Sequence, residues 1–422
     1  MRIINYNKLA LMKEIPRDNV DMKMVRSILK DVKENGDEAL KRYTLKYDGV
    51  NLERFKVRKT RLNQSFSDLD RATLYTIEQA AANLERFAKK QLSQLRTFEF
   101  EMVPGLFTGQ RVIPIDRVGI YVPGGNYPLV SSLLMGAVPA RIAGVKEIVV
   151  CTPPGKDGGI HHLIEAAAFL AGVDEVIKLG GVQAIGAMAF GSESIKPTDK
   201  IVGPGNRYVT AAKKEVNGQV GIEFIAGPSE VMIIADQSAN ATWIAADLLA
   251  QAEHDSLSVP IFVTPSLKLA QEVVQEINHQ LVGLETVEIA QRSVKENGLI
   301  VLVDSLDQAV EYANWRAPEH LEIHLEDPEE KVEQFFNYGT IFIGPYSAEV
   351  LGDYTSGLNH TLPTARAARY TGGLSVFDYI KIQTSLRATK DGIMRLGKET
   401  LRFAQLEGLA AHARAIALRM EG

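Results

Sequence analysis

Eight histidines, one cysteine and a few carboxylates placed beside them hold most of the chemistry that this 422-residue chain offers. Their neighbourhoods separate them. His161 and His162 open a helix after KDGGI, and His279 lies in a charged helix, so all three read as surface residues. His324 alternates with Glu322 along HLEIHL and reads as one solvated face of a strand. His254 differs, because it ends an Ala/Leu-rich helix three residues after Gln251. Residues at i and i+3 share a helix face, so an amide oxygen and an imidazole can converge on one point. A helix-terminal His favoured by the dipole is the plainer alternative.

Asp353 and His360 belong to LGDYTSGLNHTLPT, a long polar segment with two glycines and no periodicity. Such segments in compact domains are often functional. An Asp that caps its own turn is the competing reading. His412 lies in EGLAAHARAIAL, five residues after Glu407. At 3.6 residues per turn that spacing rotates the two side chains by about 140°, so one continuous helix does not aim both at one point. A break at Gly408, or Glu407 just outside the helix, removes the difficulty. Glu319 and His320 are adjacent in NWRAPEHLEIH, after Pro318 at a helix-to-strand junction, and have the residue types of a general-base pair. An EH dipeptide on a surface is also common. Cys151 ends the buried-looking strand IVVC and reads as structural.

Nucleotide binding has no help from the usual fingerprint, since no G-x-G-x-x-G occurs. Two glycine-containing strand-to-helix turns do occur, YVPGGNYPL at 121–129 and GPGNRYV at 203–209. Glycines there let backbone amides approach a ligand, and a following helix start favours a pyrophosphate.

These residues need elements to position them. The first 110 or so residues read as helical, with DMKMVRSILKDVKENGDEALKRYTLKY and RATLYTIEQAAANLERFAKKQL both repeating apolar residues at three and four. From Arg117 short β-rich runs alternate with helical ones: RVGIYV, EIVVC, EVIKL and KIVG. That alternation predicts βαβ units around a parallel sheet. A second alternation has EVMIIAD, VPIFVT, LIVLV, HLEIHL and TIFIG as strands, with helices such as ATWIAADLLAQAEH and PEEKVEQFFN between them. Two α/β units follow, joined near Gly227 to Glu230. The tail from about Ser375 reads as helical again.

Composition narrows the function classes. Hydrophobic residues make up 45% and charged residues 23% of the chain, as in ordinary soluble proteins. Lys plus Arg number 47 against 52 for Asp plus Glu, a net charge of −5 without a basic block, which argues against nucleic acid as a partner. The start, MRIINYNKLALMKEIPRD, has no signal-peptide h-region. The longest uncharged stretch, Tyr121 to Ala140, contains Pro123, Gly124, Gly125, Pro128, Gly136 and Pro139 and does not suit a membrane helix. One cysteine excludes an intrachain disulfide and fits a reducing cytoplasm.

Taken in order, RVGIYVPGGNYPLVSSLLMGAVPARIAGV, IVGPGNRYVTAAKKEV, IAGPSEV, LLAQAEHD, RAPEHLEI, GDYTSGLNHTLPT and EGLAAHA resemble the histidinol dehydrogenases over nearly the whole chain. The resemblance implies an NAD-linked oxidation of L-histidinol, through an enzyme-held aldehyde, to L-histidine, the final step of histidine biosynthesis. It further implies one Zn2+ per subunit, held by Gln251, His254, Asp353 and His412, with those residues and Ser229, His320, His360 and Glu407 around the substrate. Glu319 and His320 would be the acid/base pair, and Tyr121, Gln183 and Asn206 would hold NAD. The implied architecture is two incomplete Rossmann-like parallel-sheet domains, arranged as in aldehyde dehydrogenases, with terminal extensions. Residues 1–20 would form the N-terminal extension, 21–120 with 231–374 the substrate and zinc domain, and 121–230 the NAD domain. Residues 375–422 would form a helical extension exchanged in a homodimer with shared active sites. The alternatives are a relative oxidising another polar alcohol, such as a sulfonated diol, and a zinc hydrolase that uses activated water and no nicotinamide.

Overall fold

The computed structural model describes residues 1–9, 20–124 and 128–422. Its strands are β1 (Arg2–Asn5), β2 (Phe98–Val103), β3 (Leu106–Pro114), β4 (Arg117–Tyr121), β5 (Glu147–Thr152), β6 (Glu175–Lys178), β7 (Lys200–Val202), β8 (Gly221–Ile222), β9 (Glu230–Ala235), β10 (Val259–Thr264), β11 (Leu299–Leu302), β12 (His320–His324), β13 (Thr340–Ile343) and β14 (Ile380–Ala388). All nine strands expected from Arg117 to Gly344 are among them.

A five-stranded parallel sheet has the order β6-β5-β4-β7-β8. Its strands are apolar on both faces, as a sheet covered on both sides requires. Val118, Ile120, Ile148 and Val150 point into one core, and Tyr121, Val149 and Cys151 into the other. The first core is completed by the helices Arg71–Leu92 and Val130–Ala143, and the second by Met22–Asp48 and Gly181–Phe190. A six-stranded parallel sheet, β1-β11-β10-β9-β12-β13, is built the same way. Val231, Ile233 and Ala235 face one of its cores, and Met232 and Ile234 the other.

Four features depart from the sequence reading. The helices between 22 and 92 pack on the five-stranded sheet, so they belong with the 121–230 unit rather than with 231–374. Apolar spacing tells that a helix buries a face but not against what. Residues 98–114 and 380–388, expected to be helical, form a three-stranded antiparallel sheet, β14-β3-β2, in which Ile380 pairs with Pro114 and Ala388 with Leu106. Neither face of this sheet is buried within one chain, and Phe98, Phe100, Met102, Ile382 and Leu386 are exposed. FEFEM and IKIQ do alternate as strands, but the apolar face so marked has no cover within one chain, and the strong helical periodicity on either side drew these segments into the helical reading. Third, Arg2–Asn5 is not a free extension but an edge strand paired with β11, while residues 10–19 lie outside the described set.

The helix expected over 328–337 from PEEKVEQFFN shrinks to Glu329–Val332. No described helix is long and apolar enough to cross a membrane.

Candidate active site and metal centre

The candidate residues gather at the N-terminal edge of β9 and β12. The helix Leu306–Arg316 is stopped by Ala317 in the left-handed conformation (φ 47°), and Pro318, which has no N–H to continue a helix, follows. Glu319 and His320 follow at the start of β12, where His320 is in register with Val231 of β9. The helix Ala241–Ala252 runs back along the sheet after β9 and so returns Gln251 to this same edge. His254 follows the helix cap, its N–H on the Gln251 carbonyl at 3.4 Å. Asp353 is on a short helix, Glu349–Tyr354, rather than in an open loop, and the loop beyond it brings His360 back.

Their side chains meet. Asp353 Oδ2 is 3.9 Å from His254 Nε2, and Asp353 Oδ1 is 3.7 Å from His320 Nε2. The Gln251 amide nitrogen is 3.1 Å from His320 Nδ1. His320 Nδ1 also reaches the Glu230 carbonyl oxygen at 3.1 Å; a carbonyl only accepts, so a proton on Nδ1 serves this contact, and the Gln251 amide then turns its oxygen rather than its NH2 to the ring. His320 Nε2, facing Asp353, is buried without a hydrogen bond. Glu319 lies on the Nδ1 side of this ring, its Oε2 3.7 Å from His320 Nδ1, and accepts the Glu230 backbone N–H through that oxygen at 2.7 Å. His360 Nδ1 bonds the Asp353 carbonyl oxygen at 3.0 Å, and its Nε2 lies 3.2 Å from Ser132 Oγ, on the helix that follows β4. Ser229 stands just before β9 on the same edge, its carbonyl accepting from Val259 N–H.

One residue of this cluster escaped sequence reasoning. Glu349 is 1% exposed, and it places a carboxylate oxygen within 4.8 Å of donor atoms on His254 and Asp353. Its Oε2 has no hydrogen bond. The usable signal was its i−4 spacing from Asp353, which matters only once that segment is known to be helical. Behind it lies a second cluster, Asp247, Glu322 and His324. Here the expectation of a solvated strand face fails: Glu322 and His324 are both buried, with His324 Nε2 3.1 Å from Glu322 Oε2. Two-sided coverage of a parallel sheet leaves no solvated face.

Electrostatics follow from this crowding. Burial pushes the Glu319 carboxyl up to about 8, within reach of a neutral-pH base. Burial works against charge on His320 as well, but Glu349, Glu319 and Asp353 outweigh it and push its pKa to about 10. Burial holds Glu349 well above the ordinary carboxylate value. Burial also works against charge on Asp353, yet His320, and after it His360 and His254, hold its pKa below the ordinary value. Burial lowers the His360 pKa. A divalent cation among these carboxylates would cancel the charge that holds a proton on His320. The set of imidazole, amide and carboxylate donors suits zinc, and the unpartnered Glu349 and His320 atoms fit a cation-seeking site.

The remaining candidates lie elsewhere. Tyr121 ends β4, and Gln183 and Asn206 sit beyond the C-terminal ends of β6 and β7; β4 and β7 flank the point where strand order reverses, the usual nucleotide crevice of such sheets. Tyr121 OH accepts the Gly181 N–H at 3.1 Å, while Gln183 Oε1 is buried without a partner. Gly203 has φ 112°, and a Cβ there would meet Tyr121 O, so only glycine fits. Asn206 caps the helix Arg207–Val216 through the N–H groups of Tyr208 and Val209. In YVPGGNYPL, Gly125 to Tyr127 lie outside the described residues.

Glu407 and His412 are exposed and do not join the cluster. The helices Lys390–Leu406 and Ala410–Glu421 form a hairpin that turns at Gly408 (φ 71°), with Glu407 at the cap. The break brings both residues to one groove of about 420 Å³, with Phe403, Leu409 and Ile416. His161, His162 and His279 are exposed as expected, and Cys151 is fully buried with its thiol pushed up to about 12 by burial.

Comparison with known proteins shows the family. A family model described as histidinol dehydrogenase matches residues 13–420. The chain is 46% identical to a histidinol dehydrogenase of Bacillus cereus over 94% of this chain and 92% of that one. It is 43% identical to one of Methanothermobacter thermautotrophicus over 99% and 98%. A crystal structure of histidinol dehydrogenase from Elizabethkingia anophelis superposes with a TM-score of 0.93 at 36% identity, covering 100% of this chain and 97% of that one. An acetylating aldehyde dehydrogenase from Geobacillus thermoglucosidasius, 14% identical, aligns with a TM-score of 0.50 over 87% of this chain and 97% of that one, a likeness of fold alone.

Proposed function

The chain belongs to the histidinol dehydrogenase family, and from that premise we propose a division of labour among its residues for the two-step, NAD-linked oxidation of L-histidinol through L-histidinaldehyde to L-histidine. The observation that carries the reading is the meeting of buried Gln251, His320 and Asp353 with half-buried His360 and exposed His254 at one sheet edge, in a chain similar to histidinol dehydrogenases from end to end.

Gln251, His254 and Asp353 would hold a zinc ion, with His412 of a second subunit as the fourth protein ligand. When bound, zinc would draw the substrate's amino and imidazole nitrogens into place, and NAD would accept the hydride of each oxidation. His320 takes the alcohol proton on Nε2, the ring nitrogen that its contact with Glu230 leaves free. Glu319 takes a proton from the water that attacks the aldehyde, a role matched to a carboxyl whose pKa burial raises to about 8. A thioester route has no support, since Cys151 is buried inside β5 and its thiol stays protonated. Ser229, His360 and Glu407 would contact the substrate, and Tyr121, Gln183 and Asn206 the NAD.

We further propose a homodimer in which each subunit lends its C-terminal hairpin to the other. Exposed Met394, Phe403, Leu406, Leu409 and Leu418 on that hairpin, with the uncovered face of the β14-β3-β2 sheet beside it, call for a symmetric partner. A single subunit's own His412 lies on this exposed hairpin and not among the other three ligands. The single buried cysteine is in keeping with a cytoplasmic enzyme. Turnover of histidinol against a panel of polar diols tests the substrate: histidinol should exceed every diol in kcat/KM, and a preferred diol would overturn the assignment.

A further inference from the structure

His360 is fixed by more than its own loop. Its Nδ1 faces the Asp353 carbonyl oxygen at 3.0 Å, and since that oxygen only accepts, Nδ1 carries the ring proton. In the neutral ring Nε2 is then a bare acceptor, and the group within reach is the Ser132 hydroxyl at 3.2 Å, which donates to it. Ser132 is 4% exposed and sits in the first turn of the helix Val130–Ala143, an element of the five-stranded sheet's unit. The Ser132 to His360 contact therefore joins the two α/β units at the site. A second tie runs in parallel: the Asn359 side-chain amide donates to the Met135 carbonyl at 2.8 Å. That bond holds the loop to the same helix whatever Ser132 does, so Ser132 governs the ring and not the course of the backbone.

We propose that Ser132 is a positioning residue for the reaction, one that holds the His360 imidazole in one orientation, with Nε2 toward the site, until a donor group of the substrate takes Nε2 over from the hydroxyl. The inference rests on the reading of His360 as a substrate contact. Without the hydroxyl only the Asp353 carbonyl holds the ring, which can then turn about its side-chain bonds, and the substrate meets a mixture of orientations.

The test compares Ser132→Ala, Ser132→Thr and His360→Asn in the metal-loaded, full-length protein. Ser132→Ala should lower kcat/KM for histidinol roughly tenfold, the worth of one buried hydrogen bond. NAD affinity and bound metal should stay at wild-type values, and Ser132→Thr, which keeps the hydroxyl, should recover most of the loss. In 15N spectra of histidine-labelled protein the His360 ring should keep its Nδ1–H tautomer in the wild type and Ser132→Ala alike, while in Ser132→Ala the Nε2 resonance should move downfield, as that of an acceptor nitrogen that has lost its hydrogen bond. Where Ser132→Ala does not fold, Ser132→Cys, similar in size and a weak donor, takes its place in both measurements. Wild-type kcat/KM in Ser132→Ala beside a damaged His360→Asn would overturn the inference alone. An undamaged His360→Asn would overturn the substrate-contact reading and the inference with it.

Discussion

Glu319 and His320 are neighbours in sequence, yet they are anchored to opposite ends of one residue's backbone: Glu319 Oε2 accepts the Glu230 N–H at 2.7 Å and His320 Nδ1 donates to the Glu230 carbonyl at 3.1 Å. The carboxylate and the free Nε2 are thereby kept apart as two separate bases. The two oxidations should separate accordingly. Glu319→Gln should leave the first hydride transfer largely intact and slow oxidation of supplied aldehyde by roughly 100-fold or more, because an amide cannot take a proton from water. His320→Asn should slow the alcohol step. Single-turnover rates for each step measure this, and equal losses in both steps for Glu319→Gln would argue against the division.

Removal of a metal ligand should cost metal before fold. His254→Ala and Asp353→Ala should each lose bound zinc and nearly all activity while thermal unfolding remains cooperative. Imidazole binds a cation only when unprotonated, so zinc affinity of the wild type should weaken as pH falls. Metal content by mass spectrometry after dialysis at several pH values checks both statements, and full activity in a metal-free protein would refute them.

The exchanged hairpin predicts complementation between dead chains. An inactive His412→Ala chain mixed with an inactive His254→Ala chain, under conditions that exchange subunits, should regain up to about half of wild-type activity per heterodimer, since one site carries both lesions and the other neither. Background activity in heterodimers shown to form would place all four ligands in one chain.

The cluster behind the site predicts a pH-dependent strain. Burial first, and then the neighbouring Glu322, raise the Asp247 pKa from 3.8 to about 8. A folded pKa above the unfolded one means that the group's contribution is complete below about pH 4 and is lost as pH rises through about 8. Asp247→Asn, which imitates the protonated acid at every pH, should therefore unfold at a higher temperature than the wild type near pH 8, by on the order of 1 kcal/mol, and the gap should close toward pH 4. A gap that widens in acid would contradict the assignment.

The legible part of this protein was the part whose signal is local. Continuous apolar runs such as EVMIIA marked both parallel sheets, and Gly408 marked the break that lets Glu407 and His412 face one groove. The motifs led to five side chains that do meet. Glu349 went unseen because a carboxylate becomes a site residue only through the helix that sets it opposite Asp353. His324 and Glu322 were misjudged because alternation looks the same whether the polar face meets water or other buried polar groups. The β14-β3-β2 sheet hid in sequence for the converse reason, having exposed apolar residues and no core of its own.

The central claim is that one site in this enzyme carries an alcohol through to a carboxylate, and the count of reduced cofactor tests it most directly. Zinc-loaded protein given limiting L-histidinol and excess NAD should form two NADH for each histidinol consumed, yield histidine with no free aldehyde, and stop on chelation. One NADH per histidinol with aldehyde released to solvent, or no NADH at all, would contradict the account.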